Sequence, residues 1–150
     1  MVTPGTSSAA ARPAVCPCGG AAPQRRPDAK APAFMQCCGR FIDGGETASS
    51  ALELMRSRYS AYVLGATAYL RATWAPHTCP ADLDANPDAP DAPRWLGLQI
   101  KRFDTLDATR AEVEFVARYK VGGRAHRLHE LSRFTHDGHG WRYVDGDIRE

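Results

Sequence analysis

Four cysteines stand in two pairs, Cys16-Pro17-Cys18 and Cys37-Cys38. Four soft thiolates brought to one point make a closed tetrahedral site for a zinc ion. Pro17 fixes its own φ, and Gly19-Gly20 let the backbone turn sharply, so both sulfurs of the first pair can face one ion. Gly39 gives the chain room to leave the second pair. The same thiols could instead form disulfides, and adjacent cysteines can even bridge each other. The N-terminal stretch is Ala-, Pro-, Ser- and Thr-rich and lacks the apolar run of a signal peptide. It sets the expectation of a cytoplasmic chain, whose reducing surroundings favour metal over disulfide. The pattern is not a C-x2-C…C-x2-C finger. The fifth cysteine, Cys79, stands beside Pro80 and reads as a free structural thiol.

Other residues could do chemistry in a pocket. Glu114 and the His129-Glu130 pair are carboxylate and imidazole candidates for general base work if burial shifts them. On a strand, His126 and His129 point to opposite faces and cannot share one ion without a bulge. His136 and His139 flank the Asp137-Gly138 turn, and His77 follows Pro76 in a loop. Arg56 and Tyr59 share a helix face and could aim a guanidinium and a phenol at an anion. The plainer alternative is an arginine bonded to loop carbonyls or to Asp145. The candidate pocket set is Arg56, Tyr59, Glu114, Arg118, His129, Glu130, Trp141, Tyr143 and Asp145. No G-x-G-x-x-G, Walker loop, H-E-x-x-H or G-x-S-x-G occurs, so nucleotide, zinc-protease and serine-hydrolase readings lose their usual support.

The elements that must position these residues divide the chain. At 150 residues it is one domain with a small appendage. An apolar content of 43% is ordinary for a globule, and no apolar run approaches the roughly 20 residues that span a bilayer. The net charge of +2 argues neither for nor against nucleic acid. Residues 1–13 read as a disordered tail, 14–45 as the cysteine module, and 46–150 as an α+β domain. Ser50-Ala51-Leu52-Glu53 reads as a capping box, with apolar Leu52, Met55, Tyr59, Tyr62 and Val63 on one stripe and Gly65 as the stop. Thr67 is expected to cap a second helix that carries Tyr69, Leu70 and Trp74 and ends at Pro76. Residues 80–93, with four prolines and four aspartates, read as a loop. From Arg94 the period changes to 2. Four strands are expected, at Trp95–Phe103, Ala111–Lys120, Arg124–Phe134 and Trp141–Asp147, with turns at Gly122-Gly123 and Asp137-Gly138. On the second strand Val113, Phe115, Ala117 and Tyr119 share one face, and Glu112, Glu114, Arg118 and Lys120 the other. Helices first and an antiparallel meander after make an α+β fold.

Cys16-Pro17-Cys18-Gly19-Gly20 with Met35-Gln36-Cys37-Cys38-Gly39 resembles the SEC-C motif, a small zinc-binding motif named after the tail of the bacterial preprotein translocase ATPase. Leu54-Met55-Arg56-Ser57-Arg58-Tyr59-Ser60-Ala61-Tyr62, Phe115-Val116-Ala117-Arg118-Tyr119, His129-Glu130-Leu131-Ser132-Arg133-Phe134 and Trp141-Arg142-Tyr143-Val144-Asp145-Gly146 resemble the YchJ-like family of bacterial proteins. The resemblance covers about residues 14–148. The family usually keeps a shorter spacer than the one from Gly19 to Gln36, so the piece around Arg25-Arg26-Pro27 is expected to bulge out as a loop. The element order also resembles the cone-shaped fold of nuclear transport factor two and ketosteroid isomerase, which wraps a curved sheet around N-terminal helices. That fold hosts enzymes, binders and scaffolds alike. The resemblance implies a zinc ion and contact with a protein or ribosomal partner through the cysteine module, with Arg25, Arg26 and Lys30 as a basic edge. The alternative is a small-molecule binder or enzyme using a pocket in the cone. A cone packed shut favours docking; an open apolar cavity with a buried carboxylate favours a ligand.

Overall fold

Ser50 begins the long central helix. Its backbone is extended and its hydroxyl accepts the Glu53 N–H at 3.1 Å, which satisfies one of the donors a helix start leaves unpaired. The Glu53 carboxylate reaches back one residue further than a capping box requires. It accepts the N–H of Ser49 at 3.0 Å and the Ser49 hydroxyl at 2.7 Å. The helix closes at Gly65, whose φ of 74° suits only glycine, and a Cβ there would lie 2.5 Å from Pro87 Cδ.

The computed structural model of the chain describes residues 11–26 and 28–149. A 3-10 turn at Phe34–Gln36 and helix α1 (Gly39–Ile42) belong to the cysteine module. Helix α2 is Ala51–Leu64 and helix α3 is Thr67–Ala72. The strands are β1 (Arg94–Asp107), β2 (Arg110–Val121), β3 (Arg124–His136) and β4 (Trp141–Ile148). They form one antiparallel sheet in the order β1-β2-β3-β4, so the expected α+β meander is what the chain adopts.

Every strand runs beyond its expected end. β1 is extended most, because its register slips between Trp95 and Gly97, between Ile100 and Arg102, and between Thr105 and Asp107. Leu96, Lys101 and Leu106 are the inserted residues. Each bulge breaks the two-residue period that marks a strand in sequence, and each bends the sheet. Leu96 and Leu106 are left about half exposed for that reason. A further slip opposite Arg133/Phe134 leaves Val144 as the extra residue of β4.

The face assignment of β2 holds. Ala111, Val113, Phe115 and Ala117 join Leu54, Met55 and Tyr59 of α2 in one buried cluster. The apolar stripe read for α2 is too narrow. Leu54, Ser57, Arg58, Ser60 and Ala61 are buried with Met55 and Tyr59, while Leu52, Tyr62 and Val63 are only half-buried. A helix packed on several sides hides more than one stripe.

Two expectations for α3 are corrected. Thr67 is the first helical residue, not the cap; Ala66 takes the cap position, and the Thr67 hydroxyl instead accepts the N–H of Ala85 at 3.0 Å. Trp74 lies past the helix, in an isolated parallel bridge with Tyr143 held by Ala75 N to Tyr143 O at 2.8 Å and Tyr143 N to Thr73 O at 2.9 Å. The pairing with a distant strand supersedes the helical pattern there.

The cysteine module lies against α2. The Arg56 guanidinium donates to the Ala21 carbonyl at 3.2 Å, and Arg40 pairs with Glu53 at 3.5 Å. All four paired cysteines, Phe34 and Phe41 belong to the same apolar cluster as the sheet. The first ten residues of the expected tail lie outside the described residues, as does Pro27 of the spacer, while Arg12 pairs with Asp43 at 2.8 Å. No helix among the described residues is long and apolar enough to cross a membrane.

Candidate functional site

The cysteine pairs meet because two turns face each other. Cys16 N donates to Pro32 O at 2.9 Å and Phe34 N to Ala14 O at 3.0 Å, around the Val15–Ala33 bridge. Gly19 and Gly20, with φ of 65° and 71°, reverse the chain after Cys18, a conformation glycine adopts without steric cost. The Gly20 N–H points at Cys18 Sγ, 3.2 Å away. On the other side Cys37 N closes the 3-10 turn onto Phe34 O at 3.0 Å, and Cys38 takes the cap position of α1.

The four Sγ atoms lie within 4.8 Å of one another, and all four residues are at most 4% exposed. No disulfide links them; all five cysteines are free. With metal–sulfur bonds of ~2.3 Å, the edge of a tetrahedron of thiolates is about 3.8 Å. The Cys18–Cys37 separation of 3.5 Å fits that scale. The donor set fits a metal ion on charge as well. Contacts from Cys18, Cys37 and Cys38 hold Cys16 far below the ordinary thiol range. Cys37, pushed up by Cys16 and pulled down by Cys18 and Cys38, ends at about 7. Cys18 and Cys38 are pushed up, chiefly by Cys16. Crowded thiols cannot all ionise unaided, and a cation at their centre removes that conflict.

A cavity of about 270 Å³ opens between α2 and the concave face of the sheet. Its walls are aromatic. Trp95 stands edge-on to Tyr59 with centroids 5.8 Å apart, and Trp74 edge-on to Tyr143 at 5.1 Å. Two charged groups reach it. Glu130 Oε2 accepts from the Ser132 hydroxyl at 2.7 Å and from the Tyr143 hydroxyl at 2.9 Å. Burial, followed by the nearby Glu130 charge, pushes the Tyr143 phenol well above its usual range. Arg58 is 4% exposed, and its guanidinium carbon sits 4.7 Å from the centroid of Trp74 and 4.8 Å from that of Tyr143. Its Nη1 donates to the Leu70 carbonyl at 2.9 Å and to Thr73 Oγ1 at 2.8 Å.

Of the candidate pocket residues, Tyr59, Glu130 and Tyr143 line this cavity. Tyr59 lies between the two sites; burial and the Cys18 charge push its phenol up to about 12. The other six lie elsewhere. Arg56 turns toward Ala21, as in its plainer reading, although Asp145 is not its partner. Asp145 pairs with Arg133 at 2.7 Å. Glu114 and His129 bond each other at 2.7 Å on the opposite face of the sheet, with Arg102 3.5 Å from Glu114, and the His129 contact holds the Glu114 carboxyl below its usual range. Arg118 borders a groove between the cysteine module and β1, shared with Cys18, Arg25 and Arg26. Trp141 packs edge-on against His136 at 5.1 Å, in a hollow with Phe41 and Leu54. The strand parity that put Glu114 and Arg118 opposite Phe115 and Ala117 already carried this answer.

Sequence reasoning passed over Arg58, Tyr62, Trp74, Trp95 and Ser132, which line the cavity. One signal was available for Arg58. It follows Leu54 by four positions and Met55 by three, so a cation stands on a face of buried apolar residues. Trp74 and Trp95 sit at a bridge and beside a bulge, which no local period marks.

Known proteins are similar to this chain in sequence and in fold. The family described as YchJ, middle NTF2-like domain, matches residues 50–146. A UPF0225 protein of Ralstonia nicotianae is 56% identical over 144 residues, covering 90% of this chain and 92% of that protein. A UPF0225 protein of Cupriavidus metallidurans is 53% identical over 144 residues, covering 92% of each. The crystal structure of a SEC-C motif containing protein from Psychrobacter arcticus superposes with a TM-score of 0.72 at 26% identity, over 91% of this chain and 83% of that one. The solution structure of a SEC-C motif containing protein from Rhodopseudomonas palustris gives 0.69 at 28% identity, over 79% and 93%. A match that runs from the cap of α2 into β4, with identity of 56% along nine-tenths of the length, places this chain in the YchJ family.

Proposed function

We propose that this protein binds a small organic molecule in the aromatic cavity, while its SEC-C-like cysteine centre holds one zinc ion that fastens the N-terminal module to the helices. The observation that supports the ligand is the cavity itself, about 270 Å³ of aromatic-walled space that the core leaves open with a buried arginine and a carboxylate on its lining. Proteins pack their interiors densely, and an open apolar space with a few converging polar groups is the usual form of a ligand site. Zinc is the ion that four buried thiolates in a closed tetrahedron favour. Such a site has no open coordination position, so the ion organises structure and does not activate a substrate. In a reducing compartment such as the cytoplasm the thiols stay available to it.

The test uses the neutral probe phenylacetamide in an NMR titration of the full, metal-loaded chain. The expected result is saturable shifts at the Trp74 and Trp95 indole N–H signals and at the backbone around Tyr59 and Tyr143, lost in an Ala117→Trp variant that fills the cavity. Shifts scattered over the surface, or unchanged by Ala117→Trp, would sink the reading.

The groove bordered by Arg25, Arg26 and Arg118 favours a second role. There an acidic segment of a protein or ribosomal partner would dock beside the cysteine centre, held partly by Coulomb attraction that salt weakens. Pull-downs with wild type and with Cys16→Ser at low and high salt test it; identical recovery from both proteins rules it out.

A further inference from the structure

Arg58 is a charge that the fold buries without pairing. Its nearest polar partners are neutral, the Leu70 carbonyl and Thr73 Oγ1, and both sit on Nη1. No carboxylate lies within ion-pair distance of it among the described residues; Glu130 is engaged by Ser132 and Tyr143 instead. A buried guanidinium keeps its charge, and leaving it without an anion is costly. Its Nε and Nη2 have no acceptor among the described residues. They are not sealed off either, because the sealed, unpartnered side-chain nitrogens are Arg56 Nε and Trp74 Nε1. Arg58 lines the cavity, so its free edge opens there. The Trp74 indole N–H is a second donor without an acceptor, on a ring 4.7 Å from the same guanidinium. That indole N–H is sealed, so the Arg58 edge is the donor a ligand can reach, and a ligand that supplies acceptors and a negative charge there resolves it.

The geometry narrows the anion. The guanidinium rests against the packed pair of Trp74 and Tyr143, with its carbon 4.7 and 4.8 Å from the two centroids. A planar carboxylate meets the Nε/Nη2 edge with two parallel hydrogen bonds, both in the guanidinium plane. A tetrahedral phosphate has oxygens out of that plane. Glu130 lies past the hydroxyl end of Tyr143, whereas Arg58 lies over its ring. That placement sends the acidic end of a ligand toward Arg58 and its uncharged end toward Glu130, and it disfavours a second acid. The volume of about 270 Å³ exceeds the ~150 Å³ of an apolar cavity that takes up benzene, enough for one ring and a short chain.

We propose that Arg58 is the anion-binding residue of this cavity and that its ligand is a small monocarboxylate with an aromatic or branched apolar body. The inference rests on the cavity being a ligand site and adds the charge and class of what fills it.

The test titrates the metal-loaded full chain with phenylacetate, phenylacetamide and phenyl phosphate, following amide, indole and Arg58 Nε–H signals by NMR. Phenylacetate is expected to bind about ten- to a hundredfold more tightly than phenylacetamide. It should move the Arg58 Nε–H and Trp74 indole signals and place its ring against Trp95 by intermolecular NOE. Phenyl phosphate should bind no better than the amide. Arg58→Met should bring the carboxylate preference below twofold while phenylacetamide still binds. Arg58→Lys keeps the charge without the fork and should keep only part of the preference. If Arg58→Met does not fold, the wild-type preference, the Arg58 signal and the NOE decide alone. Equal binding of acid and amide within the cavity would overturn this inference and leave the ligand site standing. So would a preference that survives Arg58→Met, or a phosphate that binds more tightly than the acid. Absence of cavity shifts with all three probes would remove the ligand site and this inference together.

Discussion

Gly39 sets the spacing of the second cysteine pair, and replacing it with alanine tests whether the thiols are held in metal-binding geometry. A Cβ on Gly39 would stand 2.7 Å from the Phe34 carbonyl oxygen and 3.0 Å from two carbons of its ring. Carbon–oxygen contacts normally begin near about 3.3 Å, so α1 and the Phe34 turn must part by roughly 0.5 Å. Neither side yields cheaply. Phe34 is fully buried, and its carbonyl accepts the Cys37 N–H at 3.0 Å. Cys37 and Cys38 lie between the two elements and move with them. Metal–ligand distances tolerate only about 0.2 Å. Overpacking of this kind costs about 1–3 kcal/mol, and with each ~1.4 kcal/mol worth tenfold in affinity the Gly39→Ala protein should bind zinc about five- to 150-fold more weakly. Competition against a chromophoric chelator measures this, and cobalt substitution reports whether four-thiolate geometry survives. Gly97→Ala is the control, since a Cβ there meets nothing within 4 Å. Zinc affinity of Gly39→Ala within twofold of wild type, with unchanged circular dichroism, would refute the reasoning. So would equal weakening by Gly97→Ala.

Four further outcomes are expected. Chelation should loosen residues 14–45, seen as faster amide exchange at Phe34 and Phe41, while the sheet keeps its circular dichroism; cooperative loss of the whole signal would show one folding unit. Zinc affinity should fall as pH falls, because the free site keeps protons on the raised Cys18 and Cys38 that the loaded site must release, and Cys37 joins them below about 7; a dissociation constant unchanged between roughly pH 8 and about pH 6 would contradict this. Ser50→Ala should lower unfolding free energy by about 1 kcal/mol in urea melts through loss of the α2 cap. Glu53 adds a pH-dependent part to the same helix start. Burial raises its carboxyl, but the Ser49 hydrogen bonds and Arg40 together leave it lowered. Its contribution is therefore complete above the unfolded pKa and is lost as pH falls through the folded value, and Glu53→Gln should remove that acid-limb dependence.

Much of this protein is written in local chemistry. The four cysteines declare themselves by residue type, and the glycines beside them by the turns only they make easily. Ser50 and Gly65 bound α2 because unpaired backbone groups at a helix end need those residues. The two-residue period alone sorts the residues of β2 into two faces, while the packing of α2 decides that the Phe115 face is the inner one. What local chemistry could not decide is which side of α2 meets which neighbour. Arg56 and Arg58 are two positions apart on one helix and point about 200° from each other, since each residue turns the helix by about 100°. One reaches the Ala21 carbonyl of the cysteine module, and the other enters the aromatic cavity. Only the packing of the module on one side of the helix and the curved sheet on the other separates their roles. The curvature itself comes from inserted residues that have no periodic signature, and the Trp74 bridge joins segments about 70 residues apart in sequence. The cavity exists because those long-range contacts hold the sheet away from the helix.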